Sequence, residues 1–184
     1  RQPMSLSATS GRLFKRSCLT LPLATYDPVE HACWRVGQPP PFLHLVCLFE
    51  VVDATKKRLE IQLALTNFFR SLLAVSPEEL STACLLVTGK IGAAHEEGHE
   101  FNVGGATVGD ALRESTGVSR ARISELHAKL GDLGCVAASI FQRPNQVLLR
   151  APVPLTLPGL RTTLRHMSTA KGPGSGAARK NIVL

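Results

Sequence analysis

The chain lacks the long apolar runs, paired cysteines and Walker-type loop that mark several common protein classes. No apolar run approaches the roughly 18 residues of a membrane-spanning helix, so a membrane segment is not expected. The 5 cysteines are widely spaced and form no C-x-x-C pair, which argues against a disulfide scaffold or a zinc module. We therefore expect free thiols that are buried or half-buried in a reducing compartment. Gly89-Lys90-Ile91 fails the Walker pattern because Ser or Thr is missing after the lysine.

Acidic residues are also absent from the last part of the chain, where none follows Asp132. The protein carries 21 Lys and Arg against 14 Asp and Glu, a net charge of +7. Residues 1–132 hold 14 residues of each sign, so the whole positive surplus belongs to residues 133–184. A block of one sign attracts polyanions, of which DNA is the obvious one. The alternative is a solvated basic face that is neutralised by a remainder of the protein outside this chain.

The 184 residues correspond to one domain or to a portion of a larger one. Residues 1–25 are basic and contain no acid, which predicts a disordered leader or a transit peptide. The chain starts at Arg1 and stops on the apolar residues 182–184 without a helix cap. We therefore expect a fragment whose last helix continues.

Apolar periodicity predicts an all-α fold of short helices. Ser76 is predicted to cap one of them, with Pro77 in its first turn and Glu79 completing a capping box. Tyr26 and Trp34 are predicted to pin the N-terminal segment to the core. The predicted helices are 42–52, 56–74, 77–87, 108–116, 120–130, a short one after Asp132, 158–167 and one from Ala177.

Residues 26–80 read as a signature rather than as a periodic pattern. They contain PVE-x-ACWR-x-G at 28–37, Pro-Phe-Leu at 41–43 and Val-Ser-Pro at 75–77. GDLGCVA at 131–137 and GSGAARKNIVL at 174–184 follow in order. Together these blocks resemble the N-terminal helical DNA-binding domain of eukaryotic-type, replicative ATP-dependent DNA ligases. The resemblance implies an all-α, multi-helical DNA-binding domain over residues 26–184 that is incomplete at its C-terminus.

The same resemblance implies a parent enzyme that uses ATP and Mg²⁺ to seal nicks during DNA replication, repair and recombination. Such enzymes use the lysine of a K-x-D-G motif for adenylation, and no K-x-D-G occurs in the chain. We therefore expect no catalytic residue and no cofactor in this segment, and catalytic domains further along the same chain. The replicative-type resemblance favours the nucleus, and the basic leader leaves the mitochondrion as the alternative.

The expected partner is nicked duplex DNA, held by its backbone and minor groove without sequence preference. The glycine-rich segment 172–176 enters a helix, whose first N–H groups and dipole favour a phosphate. The family has a Gly-Ser-rich helix start at the corresponding place, which implies a grip on the DNA backbone. A plain linker is the alternative for this segment, and a stand-alone helical DNA- or protein-interaction module is the alternative for the chain. The predicted DNA-binding residues are Lys171, Gly174, Ser175, Gly176, Arg179 and Lys180.

Residues 95–99 spell HEEGH, a literal match to the H-E-x-x-H motif of zinc proteases. That chemistry needs both histidines on one face of a helix with apolar flanks. Gly98 falls inside the motif, and further glycines lie on both sides of it. The sequence therefore predicts an exposed acidic loop here and no metal.

Overall fold

The computed structural model describes residues 16–96, 103–141, 153–170 and 175–183. The regular structure in these ranges is helical, and the one extended contact there is an isolated bridge between Pro41 and Thr156. This confirms the predicted all-α class. No helix in the described part of the chain is long and apolar enough to cross a membrane. The elements are two short 3-10 helices, Arg16–Thr20 and Pro77–Glu79, and α1 Phe42–Ala54, α2 Arg58–Val75, α3 Leu80–Val87, α4 Gly105–Thr116, α5 Arg120–Leu130, α6 Leu133–Phe141, α7 Leu157–Thr169 and α8 Ser175–Val183.

The chain divides into two compact units. Unit 1 comprises Arg1–Lys90 with Val153–Thr162, and unit 2 comprises Ile91–Pro152 with Thr163–Leu184. Helix α7 therefore contributes its beginning to unit 1 and its end to unit 2.

The core of unit 1 lies between α1 and α2. Leu45 and Leu48 of α1 and Phe68 and Leu72 of α2 have almost no exposed surface, as the apolar spacing of both helices predicts. Residues 153–162 join this core through backbone hydrogen bonds. The Phe42 N–H donates to Leu155 O over 2.7 Å, and the Leu157 N–H donates to Pro40 O over 2.9 Å.

Tyr26 and Trp34 pin the N-terminal segment to α2 and its end, which confirms the prediction for both. The Tyr26 hydroxyl lies 2.6 Å from Ser71 Oγ, and Trp34 Nε1 donates to Ser76 Oγ over 2.8 Å. Both rings are buried. Each aromatic side chain therefore adds apolar area to the core and has its polar atom satisfied.

Ser76 stands at the predicted N-cap position, with Pro77 in the first turn, but the predicted side-chain cap is absent. Its side chain makes no capping hydrogen bond, and the chain first forms the 3-10 turn Pro77–Glu79 before α3 begins at Leu80. Ser76 is fully buried, and its hydroxyl also donates to Gln38 O over 3.3 Å. The hydroxyl thus accepts the hydrogen bond of the Trp34 indole N–H, from a residue 42 positions away.

Residues 16–25, which the sequence assigned to the leader, are part of unit 1. Leu19 is completely buried. Asn67 Nδ2 donates to Leu19 O over 3.0 Å and to Leu21 O over 2.8 Å, while Arg70 Nη1 donates to Leu23 O over 3.0 Å. Residues 16–25 therefore pack with the rest of unit 1, and residues 1–15 of the predicted leader lie outside the described residues.

The cysteines match the expectation of buried thiols only in part. All five are free; Cys33 and Cys47 are buried and Cys18 is half-buried, whereas Cys84 and Cys135 are exposed. Burial raises the pKa of the Cys33 thiol to about 12, so this thiol stays protonated and unreactive at neutral pH.

Unit 2 packs α4, α5 and α6 around Leu112, Ile123, Val136 and Ile140. Its helix ends carry local capping residues. Gly117 and Gly131 take the left-handed conformation after α4 and α5, at φ of 68° and 79°. Ser119 Oγ accepts from the Arg122 N–H at the start of α5, and Asp132 Oδ2 accepts from the Cys135 N–H at the start of α6.

Replacing Ser76 by alanine should cost about 1–3 kcal/mol of unfolding free energy, because Trp34 Nε1 would be buried without its acceptor. Trp34 is the only tryptophan, so its fluorescence reports the change directly during urea unfolding. The matched control is Ser81→Ala, at an exposed serine of α3. Equal stability of the two variants would contradict the role given to Ser76.

His44 should make the stability of unit 1 depend on pH. The ring is completely buried, 4.8 Å from Trp34 and 4.6 Å from Phe68 between ring centres, and burial lowers the pKa of His44 from 6.5 to about 3. The unfolded chain therefore binds a proton as the pH falls below about 6.5, and the folded chain does so only near pH 3. Stability should be complete above pH 6.5 and fall with decreasing pH, by at most about 1.4 kcal/mol per pH unit from this group.

Urea unfolding between pH 4.5 and 8 checks this expectation. The variant His44→Leu should lose that part of the pH dependence, whereas His127→Gln, at an exposed histidine of α5, should keep it. A His44→Leu variant with the parent's slope would contradict the assignment.

Candidate nucleic-acid interface

Helix α8 begins at Ser175, two residues before the predicted start at Ala177. Ser175 is half-buried and Gly176 is exposed. A Cβ atom built at Gly176 would meet no atom within 4 Å, so there is free space beside this residue. Lys171 and Gly174, the other two residues of the predicted grip, lie outside the described residues.

Lys180 is paired with an acid on another helix of unit 2. Its Nζ lies 2.5 Å from Glu114 Oε2 of α4, and the two side chains are 26% and 47% exposed. The pair links α8 to α4. The positive charge predicted for the phosphate site is therefore present, and it is partly balanced by a neighbouring carboxylate.

Arg179 points toward the end of α7. Its Nε donates to Met167 O over 3.1 Å, and its Nη2 donates to Ala170 O over 2.7 Å. Both acceptors are backbone carbonyls of unit 2. The guanidinium is thus hydrogen-bonded to the backbone of the chain itself.

A second cation of the acid-free segment is also paired within unit 2. Arg165 Nη1 of α7 lies 2.6 Å from Glu96 Oε2. Glu96 belongs to the HEEGH motif, whose described part, His95 and Glu96, lies in a turn closed by the bond from the Glu96 N–H to Ala93 O. A zinc-protease motif needs these residues on a helix, and the other three residues of the motif lie outside the described ranges.

No metal-binding cluster of three or more His, Cys, Asp or Glu side chains occurs in the described ranges. Glu96 instead serves as the partner of Arg165. Within the described part of the motif, Glu96 therefore forms an ion pair inside unit 2.

The start of α5 offers a different basic surface. Arg122 forms an exposed pair with Glu125 at 2.7 Å. Arg120, Ser124 and His127 line an open cleft of about 220 Å³ beside the start of α4, and Asp110 lies in the same cleft. The mixed charge of these side chains favours a solvated surface.

Sequence reasoning found the cations of this region but missed their partners. Glu96 and Arg165 are 69 positions apart, and Glu114 and Lys180 lie on helices that are distant in the chain. No local pattern signals such pairs. Two cations of the basic block are thus paired with acids inside unit 2.

Comparison with known proteins decides the family. The model of the family "DNA ligase N terminus" matches residues 41–184. The chain belongs to the DNA ligase N-terminal family. This family accounts for the all-helical fold and for the signature blocks at 41–43, 75–77, 131–137 and 174–184.

Relatives of this DNA ligase N-terminal chain come from distant organisms. It is 42% identical over 169 residues to DNA ligase 6 of Arabidopsis thaliana, covering 92% of the chain and 12% of that protein. It is 32% identical over 161 residues to DNA ligase 1 of Dictyostelium discoideum, covering 88% and 13%. It is also 32% identical over 131 residues to a DNA ligase of Thermoplasma volcanium, covering 71% and 21%. The chain therefore spans between about an eighth and a fifth of the ligases it matches.

The pair between Lys180 and Glu114 should contribute little to the stability of this DNA ligase N-terminal chain. Both side chains are partly exposed, and such pairs contribute about 0.2–1 kcal/mol. A double-mutant cycle with Lys180→Ala and Glu114→Ala measures the coupling, with Lys57 and Glu60, a 2.8 Å pair at the start of α2, as the matched control. A coupling well above that of the control pair would show a structural role instead.

Proposed function

We propose that this chain forms part of the DNA-binding domain of an ATP-dependent DNA ligase and contacts nicked duplex DNA. The observation that carries the proposal is the family match over residues 41–184, together with relatives that are named as DNA ligases. The contacts are to the sugar-phosphate backbone and the minor groove, and they read phosphates and shape rather than base edges.

The proposed grip is the start of α8 with the cations around it. Of the residues that the sequence predicts for this grip, Lys171, Gly174, Ser175, Gly176 and Lys180 contact the phosphates in this proposal, whereas Arg179 is engaged with backbone carbonyls. The helix start at Ser175 and the free space beside Gly176 support the proposal, because the first N–H groups of a helix have no partner within it and attract anions. The absence of acids after Asp132 adds a favourable field for DNA.

We assign the sealing chemistry to other domains of the parent ligase. There, ATP with Mg²⁺ would supply an adenylyl group, which the lysine of a K-x-D-G motif would take up with release of pyrophosphate and pass to the 5′-phosphate at the nick. The chain itself contains no K-x-D-G, so we propose that alone it binds DNA without joining it. The parent acts in replication, repair and recombination, in the nucleus, with the mitochondrion as the alternative.

Binding should depend steeply on salt if the α8 start neutralises about three phosphates, because the logarithm of the association constant then falls against log salt with a slope of about −2.7. Fluorescence anisotropy with labelled nicked duplexes of different sequence measures this slope. Affinity should not change between sequences. A slope near zero, or a preference for one sequence, would contradict a phosphate grip.

Paired variants locate the contact. Lys171→Ala with Lys180→Ala should reduce the slope to about −0.9, since two fewer phosphates are neutralised. The control removes the same charge from unit 1, with Lys56→Ala and Lys57→Ala at exposed positions, and should leave the slope unchanged. An equal loss in both double variants would show that binding follows net charge and not the α8 start.

The parent enzyme is tested by reading the transcript beyond Leu184. A K-x-D-G motif in the continuing frame is expected, and its lysine should be required for nick sealing by the full-length protein. A stop codon soon after Leu184 would contradict the ligase proposal and favour a stand-alone interaction module.

A further inference from the structure

Side chains donate to several backbone carbonyls at the end of α7. The final four carbonyls of an α-helix have no partner inside it. Ser168 Oγ donates to Arg165 O over 2.8 Å, and Thr169 Oγ1 donates to Arg165 O and to His166 O, each over 3.1 Å. These hydroxyls come from the turn itself, and of their two acceptors His166 O is one of the final four carbonyls of α7.

The next carbonyls are reached from α8. Arg179 Nε donates to Met167 O over 3.1 Å, and Arg179 Nη2 donates to Ala170 O over 2.7 Å. One planar guanidinium therefore spans two acceptors three residues apart. A cation at this place also interacts favourably with the negative end of the α7 dipole.

This geometry distinguishes Arg179 from Lys180. Lys180 pairs with the carboxylate of Glu114 at the partly exposed surface of unit 2. A phosphate could replace this carboxylate as the anion beside Lys180. Arg179 is half-buried and donates to neutral carbonyls, which would lose their partner if the guanidinium turned toward a phosphate. Leaving a buried acceptor unsatisfied is unfavourable.

We propose that Arg179 is a positioning residue, which fastens α8 to the end of α7 and so sets where the first turn of α8 lies. It does not itself bind a phosphate. The effect on DNA binding rests on the proposed function, whereas the attachment of α8 does not. A lysine cannot replace Arg179, because a single ammonium lacks the rigid fork that reaches both carbonyls.

The test compares Arg179→Lys and Arg179→Ala in the whole 184-residue chain, with Lys129→Ala, at an exposed position of α5, as the control for lost charge. Hydrogen exchange of the amides at 179–183 is measured without DNA, and anisotropy gives the affinity for nicked duplex. Both Arg179 variants should exchange faster in α8 and bind DNA about tenfold more weakly, a factor equivalent to one charged hydrogen bond. Lys129→Ala should leave α8 exchange unchanged.

Full affinity in Arg179→Lys, with a loss in Arg179→Ala and a salt slope smaller by about 0.9, would identify a direct phosphate ligand and overturn the proposal. Unchanged α8 exchange in both variants would overturn it as well. A parent chain that binds no DNA would refute the proposed function alone, because hydrogen exchange would still decide whether Arg179 holds α8.

Discussion

The hydrogen bonds of the helix ends are the constraint on which this fold depends. The described α-helices are short, from 8 residues in α3 to 18 in α2, so a large share of their backbone groups lies in end turns that the helix cannot satisfy. Unit 2 meets the demand locally, with glycine after α4 and α5 and with Ser119 and Asp132 before α5 and α6. Where local residues do not suffice, groups from distant parts of the chain take over.

Two such cases shape the molecule. The first amide of α1 has no side-chain cap and donates to Leu155 O, a carbonyl from a segment more than 100 residues away. At the end of α7, two carbonyls accept from Arg179 of the following helix. In both cases the hydrogen bond that satisfies a backbone group at a helix end also attaches one segment of the chain to another. The same bond therefore completes the local structure and forms a tertiary contact.

The sequence reveals the helix ends that are satisfied by nearby residues, and it does not reveal those satisfied by distant ones. The ends at Gly117, Gly131, Ser119 and Asp132 are predictable, because the residue that satisfies the end lies within a few positions of it. Ser76 has the composition of such a signal, yet its hydroxyl serves Trp34, and nothing nearby in the sequence reveals this. The partners of Arg165, Arg179 and Lys180 are hidden for the same reason. The family was recognisable because its blocks are preserved as residues, whereas the roles of individual cations depend on neighbours that only the fold brings together.

The return of residues 153–162 to unit 1 has a consequence for how the protein is made. Unit 1 begins near the N-terminus, but the carbonyl that receives the first amide of α1 lies at Leu155, and Leu157 N–H in turn binds Pro40 O. Residues 153–162 are the last residues of unit 1 to be synthesised. At about 5–20 residues per second they follow α1 and α2 by several seconds. Until then the start of α1 is incomplete, and all of the unit 2 residues from Ile91 to Pro152 have emerged in the meantime. Synthesis of unit 1 therefore starts before that of unit 2, but unit 1 cannot complete its fold until most of unit 2 has been synthesised.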